Sequence, residues 1–170
     1  MKIPRRRLLF ATLALAILAL LTLAAVPLTA LGGAVNGPDK NVIRGGGTSL
    51  VSGGTGSPAF APIETKFAFN WTGHTGRFEC LALTPSAAAG TPGSGNFDNN
   101  IMYVTGTITS ADAKGQTAVL KGTATVTGAG AGSNRSFTLT VTSGGPGATV
   151  VLEISGMTFN EIVLDGQVEF

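Results

Sequence analysis

The chain offers few residues that could do chemistry. It has a single histidine, His74, in Thr72-Gly73-His74-Thr75-Gly76. A glycine on each side places it in an exposed turn between two strands. A metal site needs several nitrogen or sulfur ligands, and Cys80, the only cysteine, cannot complete one with His74. A serine-hydrolase triad would also have to use His74, but no nucleophile-elbow motif is present. Four glutamates, Glu79, Glu153, Glu161 and Glu169, could supply the paired carboxylates of glycoside chemistry. Each falls on the polar side of an alternating run, so all four are expected to be solvated strand residues. Asp98-Asn99-Asn100 offers oxygen ligands but lacks the regular acidic spacing of a calcium loop. Trp71 is the only tryptophan and Tyr103 the only tyrosine. Trp71 shares a face with Phe67 and Phe69, which assigns it to a core and not to a sugar-stacking platform. The sequence therefore nominates no catalytic, cofactor-binding or metal-ligating residue, and the chain reads as non-enzymatic.

The segments that would carry such residues begin with an export signal. Lys2, Arg5, Arg6 and Arg7 form a basic start. Leu8 to Val26 follows without a charge, mostly Leu and Ala, and Pro27 ends any helix there. Small residues then allow cleavage before Gly33 or before Val35. These are the three parts of a secretory signal peptide, here residues 1–32. A retained anchor is the alternative, since Leu8 to Val26 is long enough to span a bilayer. Either way the arginines stay inside and the rest lies outside the cytoplasm. Pro4 to Leu9 is similar to a twin-arginine signal, although the Leu/Ala core suits the general secretory route better. No cysteine is near enough for a lipoprotein box.

Removing the signal reverses the charge. The whole chain carries +2. Four of its 11 basic residues lie in the signal, so seven remain against nine acids, a balance of −2. No basic stripe survives, which argues against nucleic-acid binding. One cysteine also means no intramolecular disulfide, and Cys80, on the Phe78 and Ala82 face, reads as a small buried hydrophobe.

What remains is rich in Gly, Thr, Ser and Ala, a composition that suits a sheet with many turns. Residues 33–62 read as a flexible Gly/Ser/Pro-rich lead-in, with Thr48 to Val51 as a short edge strand. Residues 63–170 then read as one all-β domain. Period-two alternation marks strands at 66–72, 77–83, 101–110, 117–127, 136–142, 150–154 and 162–170. In the last of these Ile162, Leu164, Val168 and Phe170 form the apolar side. Ala111 to Gln116, Gly128 to Asn134 and Gly144 to Gly147 read as turns, and Thr84 to Asn96 as a longer, mobile loop. Seven or eight such strands, with apolar on one side and Thr or charge on the other, predict an antiparallel β-sandwich or a small curled, barrel-like sheet. Gly106 and Gly122 inside strands favour the curled form.

Gly122 to Gly128, Phe137 to Gly147 and Leu164 to Phe170 together look like a group of small exported bacterial β-domains. These pair a G-T-A-T-V strand with an F-x-x-x-V-T strand ending in a Gly-Pro-Gly turn, before a last strand containing Gly. The resemblance covers roughly residues 66–170 and implies a fold and an extracytoplasmic location, with no assigned activity. In a bacterial chain the sequons Asn70-Trp71-Thr72 and Asn134-Arg135-Ser136 are coincidental. The leading expectation is a cell-envelope or surface domain that works through structure or interaction with an unknown partner. A small-molecule or lipid carrier with an open cavity rimmed by residues 84–96 is the first alternative. A small outer-membrane barrel is the second, suggested by the apolar alternation up to the terminal Phe170, although girdle aromatics are missing. Membrane contact is otherwise confined to the N-terminal segment, and no cofactor is expected.

Overall fold

The computed structural model describes residues 42–57 and 62–170. The signal or anchor, and most of the lead-in before residue 42, lie outside the described residues. Eight strands follow in chain order: β1 Ile43–Gly53, β2 Glu64–Trp71, β3 Gly76–Pro85, β4 Phe97–Lys114, β5 Thr117–Gly128, β6 Gly132–Thr142, β7 Thr149–Ile154 and β8 Met157–Glu169. Each pairs antiparallel with its neighbours, and β8 returns to pair with β1. The sheet is a closed up-and-down barrel, so of the two architectures expected from the sequence it is the barrel that forms. Closure gives each described strand a neighbour on both sides along part of its length, so no whole strand is left as an edge.

Alternation along each strand decides what fills the barrel. Phe67, Phe69 and Trp71 of β2 point inward, as do Phe78, Cys80 and Ala82 of β3. Leu120, Leu139, Val141 and Leu152 come from β5, β6 and β7 and are almost wholly buried. Phe67 stacks on Phe69 with ring centres 6.2 Å apart, and Phe78 meets Phe137 at 5.2 Å. An eight-stranded barrel is just wide enough for side chains to fill, and this one is filled mainly with apolar ones. The outer face carries Thr and charge.

Three expectations need correction. The short edge strand Thr48 to Val51 is instead part of β1, 11 residues long and paired on both sides, to β2 and β8. Its glycines make this possible. A Cβ on Gly45 would lie 2.6 Å from the Phe69 ring, so the absent side chain gives that ring its place. Second, the loop placed at Ala111 to Gln116 is mostly strand. β4 runs on to Lys114 and turns through Gly115 and Gln116, and β6 likewise starts at Gly132, inside the expected turn.

The third correction concerns β8. Ile162 and Leu164 were expected to face inward, but they are 43% and 50% exposed, while Val163 is 1% exposed. The inward row here is Phe159, Glu161 and Val163. A register shift against β1 falls between the pairs Thr48–Asp165 and Ser49–Val163 and leaves Leu164 unpaired. This bulge restores Val168 to the inside.

Candidate functional site

Of the places among the described residues where polar groups gather, two are central. One is a hollow in the outer wall and the other is a polar cluster inside the barrel.

The hollow lies across β3, β4, β5 and the start of β6, with a volume of about 360 Å³. Strand register builds it. Arg77 pairs with Thr107, and Thr107 with Thr123. One step along the strands, Glu79 pairs with Thr105, and Thr105 with Thr125. Asn134 closes the far side in a left-handed backbone conformation, φ 54°. Short threonines between the longer Arg77, Glu79 and Asn134 make the wall concave. Its floor is Phe78, Gly106 and Ala124. A Cβ on Gly106 would meet the Phe137 ring at 2.9 Å, so this floor position must stay small. A second hollow, lined by Ala68, Phe69 and Asn70, shares Arg77 and Glu79 with the first. The two adjoin as a trough across β2 to β6, four inter-strand gaps or about 19 Å, polar over β3 to β6 and mainly apolar at its β2 end.

The trough is electrically balanced, with one guanidinium and one carboxylate. The ion pairs among the described residues are Arg44–Glu169 and Lys114–Asp112, both exposed, which leaves Arg77 and Glu79 unpaired with each other. Such an array of hydroxyls, an amide and two opposite charges can donate and accept hydrogen bonds to a polar partner that has no strong net charge.

The interior cluster consists of Ser49 of β1, Thr65 of β2 and Glu161 of β8, all at most 3% exposed. Ser49 Oγ and Thr65 Oγ1 each lie 2.5 Å from Glu161 Oε2, and 2.5 Å from each other. Burial pushes the Glu161 carboxyl above its usual range, and the two hydroxyls offset this only in part. Burial also raises the Cys80 thiol well above its usual range, and the Glu161 charge adds to that. Glu161 was expected on a solvated strand face, together with Glu79, Glu153 and Glu169. Those three are exposed, but the reversed alternation of β8 carries Glu161 inside.

The remaining sequence candidates lie apart. His74 is exposed in the β2–β3 turn, where the Thr72 backbone N–H and hydroxyl both donate to the Thr75 carbonyl. Asp98, Asn99 and Asn100 belong to β4 and are exposed, and the Asn99 amide donates to Thr84 Oγ1. Trp71 is 7% exposed, in the core. Tyr103 is on the outer wall, 37% exposed. Sequence reasoning missed Arg77 and set Glu79 aside as a solvated strand residue, since only the register of β3, β4 and β5 brings them beside Thr105, Thr107, Thr123 and Thr125. Comparison with protein-family models, curated proteins and solved structures finds no match to this chain.

Proposed function

We propose that this chain is an exported, non-enzymatic envelope or surface domain that binds a partner on the outer wall of its barrel. One observation carries this reading. The interior is filled mainly by apolar side chains, whereas the polar hollow around Arg77 and Glu79 opens to solvent. Export rests on the basic start, the apolar run and the small-residue exit of residues 1–32.

The packed interior weighs against a carrier, which needs an open apolar cavity. The wall weighs against a lipid-facing barrel, whose outer band must be apolar. Here the outward residues of β5 and β6 include Thr123, Thr125, Arg135 and Ser136, all exposed.

The test uses the protein and envelope of its source organism. N-terminal sequencing of the exported chain should find a start at Gly33 or Val35. The purified mature domain should sediment with isolated envelope material. Replacing Arg77 and Glu79 together by alanine should weaken that binding by about ten- to a hundredfold, the worth of one or two hydrogen bonds to charged groups. A double variant that binds as tightly as the wild type would remove the trough from the account.

A further inference from the structure

Given a partner met on the outer wall, as proposed, we infer that it is a neutral glycan chain held in a belt groove that crosses the strands.

Register builds the groove. Outward residues of neighbouring strands stand directly opposite one another in two unbroken rows. One row runs Gln167, Gly46, Ala68, Glu79, Thr105 and Thr125, from β8 through β1, β2, β3 and β4 to β5. The other runs Glu169, Arg44, Asn70, Arg77, Thr107 and Thr123 over the same strands. The rows are two residues apart along each strand, about 7 Å. Three hollows fall on the line between them. The hollow at Arg44, Gly46 and Gln167 is about 410 Å³. It shares Phe69 with the hollow at Ala68 and Asn70, which in turn shares Arg77 and Glu79 with the hollow over the threonines. Asn134 of β6 closes the far end. From β8 to β6 the groove crosses six inter-strand gaps, about 28 Å.

The chemistry of the two banks selects the occupant. Arg44 and Arg77 are balanced by Glu169 and Glu79, and Arg44 is already held by Glu169 at 2.7 Å. An anionic polymer, which is gripped by uncompensated cations, finds no net positive charge here. The remaining bank groups are the four threonine hydroxyls and the amides of Gln167, Asn70 and Asn134, and each can both donate and accept. An extended polypeptide would be bound through its backbone at an open strand edge. The floor has no such edge, because Gly45, Phe69, Phe78 and Gly106 are each paired on both sides. A glycan chain needs none. It carries hydroxyls around its rings to match hydroxyl and amide banks, and C–H faces to lie on threonine methyls and on Ala68. The bare Gly46 and the short Ala68 leave it a path between Arg44 and Arg77.

The test uses neutral polysaccharide prepared from the source envelope by lipid extraction, protease digestion and passage through an anion exchanger. The mature wild-type domain should bind it. In an NMR titration the amides of Gly46 and Ala68 should shift together with those of Thr105 and Thr125. Ala68 is exposed, so Ala68→Trp lays a ring across the groove without entering the core. That variant should bind the polysaccharide about tenfold more weakly, the worth of one or two hydrogen bonds lost along the chain. Shifts at Thr105 and Thr125 with none at Gly46, or full binding by Ala68→Trp, would overturn the belt. Binding to whole envelope that protease digestion abolishes, or that stays with the fraction held on the exchanger, would overturn the glycan and leave a wall partner of another kind. Failure of the wild type to bind any envelope fraction would remove the wall partner itself.

Discussion

Side-chain direction, set residue by residue, decides which groups in this protein can react. Cys80 and Glu161 are the two titratable residues turned inward among the described residues, and both are raised in pKa by burial. A thiol held in its protonated form and 2% exposed is a poor nucleophile. Cys80 should therefore resist a maleimide reagent in the native state and react promptly once urea unfolds the chain. Rapid labelling under native conditions would show that the interior opens far more often than its packing implies. Glu161 itself was hard to place from sequence. Its local pattern, Phe159-Asn160-Glu161-Ile162-Val163-Leu164, gives three adjacent apolar residues, and alternation alone allows either Ile162 or Val163 to face in. The bulge that settles the matter depends on the pairing of β8 with β1, more than 100 positions away in the chain.

Among the elements, β2, β3, β5 and β7 were legible because apolar residues recur at every second position along most of each run. Phe67, Phe69 and Trp71 against Lys66, Ala68 and Asn70 is the clearest example. β1 was not, since Ile43-Arg-Gly-Gly-Gly-Thr-Ser-Leu carries too few side chains to show a period. Its strand character comes from neighbours, with the Phe69 ring covering Gly45 and Val168 packed beside it. Gly45→Val should expose this dependence. The new side chain would start 2.6 Å from the Phe69 ring and 3.1 Å from Val168. Overpacking of this kind costs about 1–3 kcal/mol, read as a lower urea midpoint at unchanged slope. A variant as stable as the wild type would mean that β1 and β8 can shift apart to make room. The trough was illegible for a related reason. Threonines in a strand look like ordinary outward residues until register sets Thr105 and Thr107 beside Arg77 and Glu79.

In the barrel as a whole, apart from the buried Ser49–Thr65–Glu161 cluster, apolar contacts are inside and polar groups are on the wall, so a partner is met from outside. Barrel closure leaves only short one-sided stretches of strand, such as residues 109–114 of β4, for another strand to extend. Heteronuclear NMR of the labelled domain, titrated with solubilised envelope material, tests this most directly. The account predicts chemical-shift changes centred on the trough residues Arg77, Glu79, Thr105, Thr107, Thr123 and Thr125, with the amides of Leu120, Leu139 and Leu152 unmoved. Changes centred on those inward leucines, or on none of the trough residues, would contradict it.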